Sequence, residues 1–217
     1  MRLAVFDCDG TLVDSGHNII AAMAETFRRH WLEPPAAGAV RRVVGLSLPE
    51  AMRALLPEAD DALLAALVGD YRRVFQGLRA AARLAPEPMF DGLKELLERL
   101  ADGGVRLAVA TGKSERGLTR LLEAHGLLGL FSSLHTADRH PSKPHPAMLL
   151  ACLADCGADP EAAVVIGDTV FDMAMGAAAG VRAIGVDWGY HPAAELLAAG
   201  ASAVAADAWH LEALIHG

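Results

Sequence analysis

The 217-residue chain has no basic run longer than a pair: Arg28-Arg29, Arg41-Arg42 and Arg72-Arg73 are the limit, against a formal net charge of −8. Generic binding to nucleic acid or to an anionic membrane is therefore disfavoured. Cysteine is scarce too. Cys8, Cys152 and Cys156 offer no paired framework and no short Cys-x-x-Cys spacing, so a disulfide scaffold and a cysteine zinc site both drop out and a reducing compartment fits. No apolar run reaches membrane-span length, and the opening residues meet a carboxylate at Asp7 before a signal-peptide core can form. The expectation is a soluble, cytoplasmic protein. Lysine is the rarest charged residue, with only Lys94, Lys113 and Lys143 among 19 basic side chains, so a lysine inside a motif carries extra weight. What is abundant is apolar: 53% of the chain against 21% charged, enough to bury a full core without staples.

Short apolar runs ending in polar punctuation recur at 3–6, 105–110, 163–166 and 183–186, with weaker ones near 133–136 and 201–205. They read as buried parallel strands. Helical patterns alternate with them at 92–100, 115–125, 146–155, 172–179 and 193–199, which predicts a doubly wound, Rossmann-like α/β sheet. Asp7, Thr111, Asp168 and Asp187 follow four of these strands, on the rim where such sheets bind ligands. Residues 15–85 break the alternation. Apolar periodicity there runs through 19–31, 48–56 and 62–84, interrupted by Pro34-Pro35, Gly45 and Pro57, as in a small all-helical insert. Turn residues at Asp14-Ser15-Gly16 and Ala85-Pro86-Glu87-Pro88 border it like hinges. The division expected is an α/β core of 1–14 and 86–217 with a helical cap of 15–85 inserted after the first strand.

Asp7 and Asp9 flank Cys8 at the end of the first strand, so both carboxylates point the same way. Such a pair is electrostatically costly unless a cation or a shared proton relieves it. The alternatives are acids that merely solvate a turn, or a nucleophile beside an acid/base partner, with Asp9 kept protonated next to Asp7. Cys8, on the opposite side of the strand, is expected in the core. Other motifs fail on spacing. Thr111-Gly112-Lys113-Ser114 imitates the end of a nucleotide-binding P-loop, but the required first glycine is Leu107. His135, His140 and His145 recur at intervals of five, which meets no zinc pattern.

The segment Asp7-Cys8-Asp9-Gly10-Thr11-Leu12-Val13-Asp14 resembles the first motif of the haloacid dehalogenase superfamily of phosphotransferases. Thr111-Gly112 resembles the second, Lys143-Pro144 the third, and Gly167-Asp168-Thr169-Val170-Phe171-Asp172 the fourth. All four stand in the family's order, and the insert resembles the branch with a helical cap that includes phosphoglycolate phosphatases and β-phosphoglucomutases. The resemblance implies a phosphatase that hydrolyses a small phosphorylated metabolite, with no nucleic acid or membrane partner, as a monomer or homodimer. Asp7 would attack phosphorus and Asp9 would serve as acid, then base. Mg²⁺ would be held by Asp7, the Asp9 carbonyl and Asp168. Thr111, the Gly112 amide and Lys143 would bind the phosphoryl group. Asp172 would orient Lys143 or a metal water, although a carboxylate at a helix N-terminus is an equal reading of it.

Retention of Asp9 and an insert free of lysine set the chain apart from dehalogenases and phosphonate hydrolases. Ile19, where the mutase branch typically has histidine, lowers the β-phosphoglucomutase alternative. A non-catalytic binding or regulatory protein is the remaining one. Arg41-Arg42-Val43-Val44-Gly45 resembles a cap segment that reaches substrate, so Arg41 or Arg42 would bind its non-reacting end, unless the pair is an exposed helical surface.

Overall fold

The computed structural model describes residues 2–217. Six strands form one parallel sheet: β1 (Leu3–Phe6), β2 (Arg106–Thr111), β3 (Phe131–Thr136), β4 (Ala163–Gly167), β5 (Arg182–Val186) and β6 (Ala203–Ala205). Their spatial order is β3-β2-β1-β4-β5-β6, and every neighbouring pair is parallel. The strand order reverses at β1 and β4, where a doubly wound sheet opens a crevice beyond its carboxyl edge. Alternate residues feed opposite faces, as the two-residue repeat of a strand requires. Ala4, Phe6, Leu107, Val109, Val164 and Ile166 pack against α5 (Leu93–Asp102), α6 (Glu115–Ala124) and α10 (Ala208–His216). Leu3, Val5, Ala108, Ala110, Ala163 and Val165 pack against α7 (Ala147–Cys156), α8 (Val170–Ala179) and α9 (Ala193–Ala198). All three cysteines are free and buried, and Cys8 lies in the first of these clusters.

Between β1 and α5 the chain forms α1 (Gly16–Arg29), α2 (Ala37–Val43), α3 (Leu48–Leu55) and α4 (Asp61–Ala80). These helices close on their own apolar cluster of Met23, Phe27, Val40, Met52, Leu64 and Leu67. The segments that enter and leave them run side by side. Val13 bridges Met89 in antiparallel fashion, Asp14 N donates to Pro88 O at 2.9 Å, and Phe90 N donates to Leu12 O at 3.1 Å. Buried Asn18 clasps the same junction, giving Nδ2 to Ala85 O and taking Ala85 N on Oδ1, both at 2.9 Å.

Two helices go beyond the sequence reading. Helix α2 has seven residues and one buried side chain, Val40, too little to show periodicity. Helix α10 shows its spacing in Ala208, Leu211 and Ile215, but within nine residues at the end of an alanine-rich stretch. Among the described residues no helix is long and apolar enough to cross a membrane.

Candidate active site

Asp7 continues β1 by one residue, its N–H bonding Ile166 O of β4 at 2.9 Å. The chain then turns sharply, with Thr11, Leu12 and Val13 N–H groups all directed at Cys8 O. Gly10 makes this turn at φ 86°, and a Cβ there would stand 2.3 Å from Asp168 Oδ2 and 2.5 Å from Tyr190 Cε2. Both the left-handed backbone and the close approach require glycine.

Oxygens of Asp7, Asp168 and Asp172 lie within 4.8 Å of one another, and all three residues are buried. Two of the three are well supplied with donors. Asp168 accepts from Thr11 Oγ1 and from Tyr190 N, both at 2.9 Å. Asp172 accepts from Lys143 Nζ at 2.6 Å, from Thr169 Oγ1 at 2.7 Å and from Thr169 N at 3.2 Å, the last closing a capping box at the start of α8. Asp7 is different. Lys143 Nζ approaches its Oδ1 to 2.9 Å as an ion pair, yet neither Asp7 oxygen accepts an aligned hydrogen bond.

The charges are strained accordingly. Burial pushes Asp7 up to about 6, with Lys143 pulling the other way and Asp172 adding to the rise. Burial also lifts Asp168 well above the usual carboxylate range, and repulsion from Asp7 and Asp172 adds to it. Burial opposes the Lys143 ammonium, but Asp172 and Asp7 outweigh it and hold its pKa above the ordinary lysine value. Three buried carboxylates cluster around one ammonium, which pairs with Asp7 and Asp172 and leaves Asp168 to neutral donors. Such an all-oxygen set with surplus negative charge fits a hard divalent cation.

Asp9 faces the same cavity but has separate support: its Oδ1 accepts from Ser15 Oγ at 2.5 Å and from Lys113 Nζ at 2.7 Å. Thr111 is buried and its Oγ1 accepts from Lys113 N at 3.2 Å. Gly112 lies directly beneath the loop joining α2 to α3. A Cβ at Gly112 would be 2.5 Å from Leu46 O and 2.6 Å from Gly45 O, and Ser47 N donates to Ser142 Oγ at 2.7 Å beside it. The loop thus roofs a cavity of about 630 Å³ whose lining includes Asp7, Asp9, Thr111 and Gly112, while Lys143, Asp168 and Asp172 stand behind Asp7.

The structure does not bring Arg41 or Arg42 to this cavity. Both are exposed, because α2 turns Val40 inward, and Arg42 Nη1 pairs with Glu195 Oε2 of α9 at 2.7 Å. The arginines that do line the cavity are Arg72 and Arg79 from α4 and Arg116 and Arg120 from α6, with Glu50 and Asp138 as acids beside Asp7 and Asp9. Nothing in their local sequence singles these four out, since the two helices meet only in three dimensions. Tyr190 likewise comes from the loop after β5. Lys113 did carry a signal, the scarcity of lysine. His135 and His140 meet at 2.9 Å but belong to no metal-binding group among the described residues, whereas His145 caps the start of α7 locally.

A sequence profile described as haloacid dehalogenase-like hydrolase matches residues 4–186. The chain is 38% identical to a Dickeya dadantii protein named "Probable phosphatase IndB", over 91% of this chain and 86% of that one. It is 35% identical to a phosphoglycolate phosphatase of Rhodospirillum rubrum, over 87% of this chain and 80% of the relative. The crystal structure of a hydrolase from Pseudomonas syringae superimposes with a TM-score of 0.86 at 26% identity, covering 100% of this chain and 98% of the other.

Proposed function

This chain belongs to the haloacid dehalogenase-like hydrolases, and from that premise we propose that it is a Mg²⁺-dependent phosphatase that hydrolyses a small phosphomonoester through an aspartyl phosphate at Asp7. The observation that carries this reading is the Asp7 carboxylate: buried, paired with Lys143 at 2.9 Å and at the wall of a cavity. A carboxylate so placed is free to form a bond to phosphorus. Relatives named as phosphatases support the same class of reaction.

Asp7 attacks the phosphoryl group in line and the ester oxygen leaves. Asp9, held in orientation by Ser15 and Lys113, gives that oxygen its proton and then accepts one from the water that cleaves the acyl phosphate. Thr111 and the Gly112 amide bind phosphoryl oxygens, and Lys143 balances the charge gathered around Asp7. Asp7 and Asp168 would hold the metal ion together with the Asp9 carbonyl, and Asp172 fixes Lys143. When bound, the cation supplies positive charge that lets a dianionic ester approach a carboxylate.

Residues 15–85 serve as a cap domain over the core of 1–14 and 86–217, and their closure excludes bulk water from the acyl phosphate. Phosphoglycolate is the first substrate to try, and the four arginines of the cavity favour an anionic ester over a neutral one. Hydrolysis of an aryl phosphate should require Mg²⁺ and cease on chelation. Asp7→Asn should abolish both turnover and the phosphorylated residue found by rapid quenching. Undiminished activity after exhaustive chelation, or phosphate trapped on a residue other than Asp7, would overturn the reading.

A further inference from the structure

Outside the carboxylate cluster, three side chains form a chain of hydrogen bonds that ends at the cavity wall. Asp155 on α7 lies with Oδ2 3.0 Å from His135 Nε2 on β3, and the other nitrogen of that ring, Nδ1, lies 2.9 Å from His140 Nε2. His140 in turn lines the cavity that holds Asp7 and Asp9. Ser133 Oγ donates to the same Asp155 oxygen at 2.8 Å, and the hydrogen bonds from Ser133 and His135 hold the Asp155 carboxyl below its usual range.

The proton positions then follow in order. An ionised Asp155 can only accept, so His135 carries its proton on Nε2. A neutral His135 therefore has a lone pair on Nδ1, and His140 must donate its Nε2–H to it. A neutral His140 has no second proton, which leaves Nδ1 as a hydrogen-bond acceptor without a protein partner. Burial, with Arg139 adding to it, lowers the His140 pKa and favours this neutral ring. The charged groups that the inserted helices bring to this cavity are Glu50, Arg79 and Arg72, the last paired with Asp138 at 3.9 Å.

The geometry points to His140 Nδ1 as a specificity subsite for a hydroxyl group on the non-reacting part of the substrate, with His135 and Asp155 as positioning residues that fix its tautomer. Phosphoglycolate would leave this acceptor unused, so the assignment adds a preference for phosphomonoesters that also carry a hydroxyl. It rests on the phosphatase reading for its substrate class but not for the tautomer.

The test has two arms. Long-range ¹H–¹⁵N spectra, recorded above the imidazole titration range of about pH 6.5, should show His140 protonated on Nε2 and bare on Nδ1. His135→Phe should release that order into a mixture of tautomers. A protonated Nδ1 in the wild-type protein would overturn the proposal. The second arm compares n-alkyl phosphates with ω-hydroxyalkyl phosphates of the same length across a series of chain lengths. At the length that reaches His140 the hydroxyl should raise kcat/KM roughly five- to tenfold, as one good hydrogen bond would. His140→Phe should erase that preference, read as the ratio of kcat/KM between the two series whatever the absolute rates, and an unchanged melting temperature reports that the variant is folded. No preference at any length, or one that survives His140→Phe, would overturn the subsite. If the wild-type protein hydrolyses neither series, the phosphatase reading fails instead. The subsite is then judged by whether the hydroxyalkyl phosphates perturb the His140 nitrogen resonances more than their alkyl counterparts; equal perturbation would overturn it.

Discussion

Asp7 is held in a place that penalises its own ionisation, and the penalty has a measurable sign. Its carboxyl is raised from 3.8 to about 6 in the folded chain, chiefly by burial, so the folded protein keeps a proton that the unfolded one has lost over that interval. Metal-free protein should therefore be destabilised above pH 6 and recover as the pH falls toward 4. Asp7→Asn removes the penalty. In chelator it should be more stable than wild type above pH 6 by on the order of 1–3 kcal/mol, a difference that shrinks on acidification, as urea denaturation at two pH values would show. A divalent ion should reverse the order, stabilising the wild-type chain and not the variant. Lys113 calls for a different measurement, because it contacts Asp9 rather than the carboxylate cluster. Lys113→Met should lower kcat by roughly 10- to 100-fold, the usual range for disturbing a general acid–base, while the stabilisation by Mg²⁺ stays at its wild-type value. At this scale the sequence was informative wherever chemistry is tied to a strand end: Asp7, Asp9, Thr111 and Asp168 each follow a recognisable apolar run. It was silent on Tyr190 and on the Arg72–Arg79 and Arg116–Arg120 pairs, whose positions depend on how separate elements pack.

Strands β1, β2, β4 and β5 were legible because each is a short apolar run bounded by polar residues, β3 and β6 more weakly, and α1, α3 and α4 because their apolar positions recur at helical spacing. Helix α2 was not, since one buried valine leaves no period to detect. That omission matters for the substrate, because α2 turns Arg41 and Arg42 outward while the loop behind it covers Gly112. The contact is tight enough to test with one carbon atom. In Gly112→Ala the new Cβ meets the carbonyl oxygens of Gly45 and Leu46 at 2.6 and 2.5 Å, and backbone cannot yield as a flexible side chain would. The loop must lift, so kcat/KM should fall by roughly tenfold, as expected when a lid fails to seat. The melting temperature should change little, because the inserted helices keep their own cluster around Phe27, Met52 and Leu67. A large drop in thermal stability with unchanged kcat/KM would show that the loop contributes to folding and not to catalysis.

Seen whole, the molecule is an anion of formal charge −8 that nonetheless lines one cavity with four arginines. Those arginines and Lys113 offset the cavity's own acids, Asp7, Asp9, Glu50 and Asp138, so this opening repels a phosphate ester less than the net charge suggests. Replacing Arg116 and Arg120 together with glutamine should lower kcat/KM for an anionic ester by about tenfold at low ionic strength and by clearly less in high salt, where screening shortens the reach of the field. Equal losses at both ionic strengths would assign the pair to short-range contacts alone. The paired segments at the base of the inserted helices bear on descent as well as on motion. Because Leu12–Asp14 and Pro88–Phe90 are joined to each other by backbone hydrogen bonds, the ends of the insert meet at a fixed point whatever lies between them. To the sheet, the whole insert is one loop, and the entropy of closing a loop grows only slowly with its length. Helices between those two segments can be lengthened, shortened or exchanged without disturbing the register of β1 and β4, and so without moving Asp7 or Asp168. A lineage built on this junction is free to trade its choice of substrate while the bond-breaking machinery is inherited intact.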